Sequence, residues 1–334
     1  MKYEISQEIK SKIYGAQKIL LNCHRNPDPD SIGSACSMKE ILEKWGKEVI
    51  IICPSEIPHD LLFIPGAESI QKVEFDTYDF SPCDLFIVMD TSGWELVFSS
   101  KNFTPPKIPV IVIDNHETNI SFGDVNLIDL QTSSVAEMLY SIYHDWEVVV
   151  DQKVASCLMA GILGDTGSFQ YEVHKDTFRI ANELLDTGID HKSIVFFLFN
   201  SKPLGQLQFW GEVISRMKVE PEGFVWAAIP YDVYQKYEHI SGVRETAATT
   251  VIRKLEGTHF GFVLTEDSPG AITMSFRSRT DFDVAQLALQ VGNGGGHPAA
   301  SGAHLDGISF EKAVEKVVSL SKELAIKHGP PPQD

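Results

Sequence analysis

The sequence predicts an α/β protein in which an N-terminal domain built on a parallel sheet is followed by a smaller α/β domain. Three observations carry this expectation. Short runs of Val, Ile and Leu recur through the first 130 residues without strict alternation, as expected of strands buried on both faces of a parallel sheet. Helical patterns fall between or after several of these runs. The chain has 334 residues, enough for about two domains, and the pattern changes beyond residue 218.

Taken in order, the first strand is "KILLNCH" (18–24), and a stretch crowded with His, Asp and Pro leads from it into a helix. Strands follow at "EVIIICP" (48–54), "DLFIVMD" (84–90) and "IPVIVID" (108–114), with a weaker one at "GDVNLID" (123–129). Helices are expected over 133–146, 152–163 and 176–188, the last stopped by Gly188. The first domain is thus placed at 1–200. Residues 201–218 carry a Pro, two Gly and then amphipathic spacing, which suits a linker and connecting helix. The second domain, 219–328, contains strands at "FVWAAIP", "HFGFVLTE" and "AITMSFRSR" and helices near 243–255, 282–291 and 310–326. The tail 329–334, "GPPPQD", is expected to be disordered.

Composition narrows the function. With 43% hydrophobic residues the chain can bury a sizeable core, and its apolar runs fall far short of the roughly 20 residues that cross a bilayer. "MKYEISQEIK" lacks the apolar core of a signal peptide, so a cytoplasmic location without membrane attachment is expected. Cys23, Cys36, Cys53, Cys83 and Cys157 form no C-x-x-C pair and read as reduced, buried thiols. Twenty-eight basic and 46 acidic residues give 28 − 46 = −18, which works against tight binding to long nucleic acid.

In open parallel sheets, ligands bind beyond the carboxyl ends of the strands. Possible metal ligands collect at those ends: His24 with Asp28 and Asp30, then Asp90, then Asp114, and Asp165 after the helix "CLMAGILG". One such Asp is ordinarily a turn former or helix cap, but the same placement in four segments argues for more. Pro27 and Pro29 stiffen the loop bearing Asp28 and Asp30. A mixed His and carboxylate set favours Mn²⁺ or Mg²⁺, and two ions about 3.5–4 Å apart sharing one carboxylate can activate water against a phosphoryl group.

The segments "HRNPDPDSIGS", "VMDTS", "DNHETN" and "GDTGSF" resemble, in order, the four motifs of the DHH phosphoesterase family, and span residues 24–169. The later "FRSRTDFDVAQLALQVGNGGGHPAASG" (276–302) resembles the family's DHH-associated substrate domain. Two-domain members of this length include bacterial oligoribonucleases with 3′-phosphoadenosine 5′-phosphate phosphatase activity and cyclic-dinucleotide phosphodiesterases. The resemblance implies two Mn²⁺ per chain, with Mg²⁺ a substitute. His24, Asp28 and Asp90 would hold one ion and Asp30, Asp90 and Asp165 the other, with Asp90 bridging. The third motif reads Asp114-Asn115-His116 where the family has a second histidine. Asn115 offers an amide oxygen, a weaker donor, and His116 is left to contact the phosphate or move a proton.

In the second domain, Arg277 and Arg279 alternate along one predicted strand and so would share a face on which to fork onto a phosphate. Gly294, Gly295 and Gly296 allow close backbone approach, and His297 would complete the clamp. A groove between the domains would take a short oligonucleotide or small nucleotide. The expected activity is hydrolysis of short oligoribonucleotides to mononucleotides, and of 3′-phosphoadenosine 5′-phosphate. The alternatives are a cyclic-dinucleotide phosphodiesterase, a polyphosphatase or pyrophosphatase, and a non-catalytic nucleotide sensor. Phe169 and Tyr171, beside Asp165, are candidates for base stacking, against the simpler reading of each as core. A second copy of the chain, in a homodimer, is the remaining candidate partner.

Overall fold

The computed structural model describes residues 2–98, 103–171, 173–240 and 242–330, so the tail beyond 330 lies outside the described residues. The chain divides into two compact units, 1–201 and 202–334. Among the described residues no helix is long and apolar enough to cross a membrane.

In the first unit the elements run α1 (Ser6–Gly15), β1 (Lys18–Asn22), α2 (Pro29–Lys44), β2 (Glu48–Cys53), β3 (Gln71–Lys72), β4 (Leu85–Met89), α3 (Trp94–Val97), β5 (Val110–Asp114), β6 (Val125–Ile128), α4 (Val135–Asp145), α5 (Gln152–Asp165), α6 (Lys175–Asp186) and α7 (His191–Val195). The six strands form a fully parallel sheet in the order β3-β2-β1-β4-β5-β6. Chain progression therefore reverses between β1 and β4, the switch point where open sheets of this kind bind ligands. Period-two alternation splits the buried side chains between the faces. Ile19, Leu21, Ile87 and Met89 pack with α2, α4 and α5, while Leu20, Phe86 and Val88 pack on the other face with Phe75, Trp94 and Phe98.

Three glycines bring α5 against α2. A Cβ on Gly33 would stand 2.4 Å from the Cys157 carbonyl oxygen, one on Gly161 2.5 Å from Asp30 Oδ1, and one on Gly164 2.7 Å from Pro29 Cβ. The helices approach that closely because no side chain intervenes. The C-terminal end of α5 is thereby pressed onto the loop that opens α2.

The second unit contains α8 (Leu204–Arg216), β7 (Lys218–Glu220), β8 (Phe224–Ile229), α9 (Tyr231–Tyr234), α10 (Val243–Thr250), β9 (Phe260–Ser268), β10 (Ala271–Ser278), α11 (Val284–Val291), β11 (Asn293–His297), β12 (Ala300–Asp306) and α12 (Phe310–His328). Its sheet has the order β11-β12-β10-β9-β8-β7, parallel between β8 and β9 and antiparallel elsewhere. The stretch 201–218, expected to connect the domains, carries α8, whose Phe209 and Val213 are buried with Val225, Ala227 and Val263 of this unit. The β11–β12 hairpin had no strand signal in "NGGGH", since glycine is depleted from strands.

Candidate active site

β1 and β4 flank the switch point, and their carboxyl ends deliver His24 and Asp90 side by side. His24 Nε2 lies 3.3 Å from Asp90 Oδ2 and 3.6 Å from Asp28 Oδ2. The His24 Nδ1 sits 3.0 Å from the Arg25 carbonyl, which only accepts, so the proton resides on Nδ1 and Nε2 faces the carboxylates. Asp28 caps α2, its Oδ1 accepting from Ser31 N at 2.9 Å while Oδ2 remains toward His24.

Asp90 adopts a left-handed backbone (φ +53°), which few residues other than Gly, Asn and Asp tolerate. Buried polar groups hold this turn. Asn22 Oδ1 accepts from Met89 N at 2.9 Å, Asn22 Nδ2 donates to Thr91 Oγ1 at 3.2 Å, and Asp90 N donates to Ile113 O at 3.1 Å. The Asp90 carboxylate is 3% exposed, and its Oδ2, which meets no donor in good hydrogen-bond geometry, has His24 Nε2 beside it at 3.3 Å. A carboxylate buried this deeply is costly unless a cation, the His24 imidazolium or a metal ion, lies against it. From β5, Asp114 is fully buried and accepts from His116 Nδ1 at 2.7 Å and from Asn119 Nδ2 at 2.6 Å, and His116 Nδ1 also lies 3.8 Å from Asp90 Oδ1.

The charges are crowded. Burial and then the neighbouring carboxylates push Asp30 and Asp165 well above the usual carboxylate range, and burial and Asp28 raise Asp90. Burial opposes a charge on His24, but Asp28 and Asp90 outweigh it and hold the imidazole well above its ordinary value. The bond to Asp114 lifts His116 to about 9. Among the described residues two sets therefore suit a divalent ion: His24, Asp28 and Asp90, and Asp90, Asp114 and His116. Asp90 belongs to both, as a bridging ligand must.

The remaining expected ligands sit differently. Asp30 is fully buried, and its oxygens accept from Val135 N at 2.7 Å, Ala136 N at 2.9 Å and Ser34 Oγ at 3.2 Å, which ties it to the N-terminus of α4. Asn115 turns its Nδ2 to the Thr132 carbonyl at 3.2 Å. Asp165 ends α5, within electrostatic reach of Asp30, Asp28 and Asp90. Asn22, Thr91 and Asn119 were missed as supports, although a polar residue ending the apolar strand "KILLN" was a usable signal.

In the second unit an open pocket of about 470 Å³ is lined by Arg244, Arg277, Asn293, Gly295, Gly296 and His304 among others. Arg277 donates Nε to Thr249 Oγ1 at 2.9 Å. Arg279, expected on the same strand face, instead lies past the end of β10, where its N–H bonds the His259 carbonyl at 2.8 Å. It does not line the pocket, and neither do Gly294 and His297, the latter exposed at the end of β11. Arg244 had no sequence signal. Its guanidinium reaches Ser275, Thr265, Asp267 and Glu245.

Comparison with known proteins identifies the family. Residues 18–162 match the DHH family, N-terminal domain, and residues 233–325 match the DHHA1 domain. The chain is 30% identical to the bifunctional oligoribonuclease and PAP phosphatase NrnA of Bacillus subtilis, over 93% of this chain and 95% of that one. It is 28% identical to the NrnA of Thermus thermophilus, over 98% and 94%. An exopolyphosphatase-related protein from Bacteroides fragilis superposes with a TM-score of 0.86 at 25% identity, covering 96% of this chain and 97% of that one. The chain belongs to the DHH family and is a metal-dependent phosphoesterase.

Proposed function

We propose that this protein hydrolyses short oligoribonucleotides to mononucleotides, and 3′-phosphoadenosine 5′-phosphate, with two Mn²⁺ ions for which Mg²⁺ substitutes. The observation that carries the reading is the likeness to NrnA relatives across both units, 93% and 98% of the chain. Bound ions would activate a water and neutralise a phosphoryl oxygen.

The chain's own groups do the rest. His24, fixed by the Arg25 carbonyl, and Asp28 would hold one ion, and Asp90 would serve both. Asp165 and Asn115 are proposed for the second ion. Asp30 contributes one oxygen at most while it stays on the α4 amides. With Nδ1 on Asp114, which favours the charged imidazole, His116 would hold a proton at Nε2 for the leaving oxygen. Arg277 and the backbone at Gly295 would take the substrate's terminal phosphate. The free, buried cysteines suit a reducing cytoplasm.

The test is an assay of purified protein with Mn²⁺ on a dinucleotide, 3′-phosphoadenosine 5′-phosphate, cyclic di-AMP and pyrophosphate. The first two should be the best substrates. Preference for cyclic di-AMP would instead favour the activity of relatives such as the GdpP phosphodiesterase of Bacillus subtilis, 24% identical, of which this chain spans 49%.

A further inference from the structure

Asp165 is followed by backbone that a helix stop alone does not require. α5 closes with Ser168 N donating to Leu163 O at 2.8 Å and Gly167 N to Gly164 O at 3.2 Å. Gly167 takes the left-handed conformation such a stop needs, φ +54°. The chain then stays left-handed through Ser168 (φ +59°) and Phe169 (φ +64°), which is unfavourable for a bulky side chain. Thr166 compensates: its Oγ1 accepts from Phe169 N at 3.1 Å, and its carbonyl from Gln170 N at 2.8 Å and Tyr171 N at 3.0 Å.

The effect of this turn is to fold Tyr171 back over Gly167. A Cβ on Gly167 would stand 2.5 Å from Tyr171 Cε2, so the ring lies directly on the glycine. Phe169, half-buried against the core, stacks at 5.2 Å and 26° on Phe178 of α6. Core packing accounts for Phe169. Tyr171 and Phe178 are nevertheless 46% and 54% exposed, six and thirteen residues beyond Asp165.

We infer that Tyr171, with the Phe169–Phe178 stack behind the same turn, is a platform on which a nucleobase of the substrate stacks while the adjoining phosphate meets the carboxylate centre. This deepens the nucleotide reading above and rests on it. An uncharged aromatic face suits a purine or pyrimidine, adds affinity without adding charge, and accepts any base because every base has a π-face. Inorganic polyphosphate and pyrophosphate offer nothing to stack. The platform therefore assigns the choice of nucleotides over inorganic chains to the first unit, apart from the phosphate-binding pocket of the second.

The experiment compares kcat and KM of wild type, Tyr171→Ala, Tyr171→Phe and Phe178→Ala on the dinucleotide pApA and on the same compound lacking its bases. Melting temperature and metal content are recorded for each. Tyr171→Ala should lower kcat/KM on pApA about 10- to 100-fold, mostly through KM, with little change on the abasic compound. Tyr171→Phe should restore it, since stacking needs the ring and not the hydroxyl. Phe178→Ala, an exposed change with little folding risk, should give a smaller loss confined to pApA. Equal losses on both compounds would overturn the platform while leaving the nucleotide reading intact. A wild-type enzyme that ignores pApA but cleaves pyrophosphate would overturn both.

Discussion

Asp114 and His116 face each other across 2.7 Å at the end of β5, and this contact favours the charged form of an imidazole that lies 3.8 Å from Asp90. The carboxylate is fully buried while the imidazole is 41% exposed, so the pair is anchored at one end and open to substrate at the other. Asp114 could join Asp90 and His116 around an ion, and without one it favours the charged form of its neighbour.

This predicts a pH dependence in metal-free protein. His116 titrates near 9 when folded and near 6.5 when unfolded, so its stabilisation is complete below about pH 6.5 and is lost as pH rises through about 9. Urea midpoints of chelator-treated protein should fall less between pH 6.5 and 9.5 in His116→Gln than in wild type. Parallel slopes would mean that Asp114 does not hold the charged imidazole in solution.

Asp90 should show a trade between stability and function. Burial and then Asp28 raise its acid in spite of His24 beside Oδ2, so the ionised form costs stability at neutral pH. Asparagine tolerates φ +53° and carries no charge. Asp90→Asn should therefore melt higher than wild type without metal, fail to gain stability when Mn²⁺ is added, and lose nearly all activity. Retention of more than about a tenth of the rate, little over 1 kcal/mol in barrier, would sink the bridging assignment.

Much of this site was legible in the sequence because strand ends and acidic residues coincide there: His24, Asp28, Asp90 and Asp114 each follow a run whose burial is dictated by its apolar composition. What composition cannot show is a partner far along the chain. Asp30 reads as a ligand, yet its carboxylate lies on amides 105 and 106 residues away, a contact created only when Gly161 lets α5 close on α2. Arg244 is hidden for the same reason, since its partners Thr265, Asp267 and Ser275 come from β9 and β10. The left-handed Phe169 had no signal either, because a bulky aromatic residue disfavours that conformation and only the local bond from its N–H to Thr166 Oγ1 supports it.

Asn115 predicts unequal metal sites. An amide oxygen replaces an imidazole, its Nδ2 is engaged with Thr132, and Asp30 is shared with α4, so the second ion should bind more weakly than the first. Calorimetric titration of chelator-treated protein with Mn²⁺ should resolve one tight and one weak event. Asn115→His should tighten only the weak one. Unchanged affinity in that variant would show that position 115 does not face the ions.

In the second unit the proposed phosphate grip and the fold fall on neighbouring residues. Arg277 and Gly295 line the pocket, Arg279 lies past the end of β10, and Gly296 is left-handed at φ +137°. Loss of a charge-assisted contact in Arg277→Ala should cost about 1.5–3 kcal/mol of transition-state binding, roughly 10- to 100-fold in kcat/KM on a dinucleotide, with metal content unchanged. Arg279→Ala should stay within about twofold of wild type. The two glycines divide similarly. A Cβ on Gly295 meets nothing within 4 Å, so Gly295→Ala should fold normally and lose only substrate affinity, its methyl group standing where the backbone would approach the phosphate. A Cβ on Gly296 would stand 2.7 Å from the Ala300 carbonyl oxygen on an already unfavourable backbone, so Gly296→Ala should lower the melting temperature, with a cost of about 1–3 kcal/mol for the conformation alone. Equal kinetic damage from Arg277→Ala and Arg279→Ala, or a normal Gly295→Ala enzyme on dinucleotides, would remove this pocket from substrate binding and leave the first unit to hold the substrate by itself.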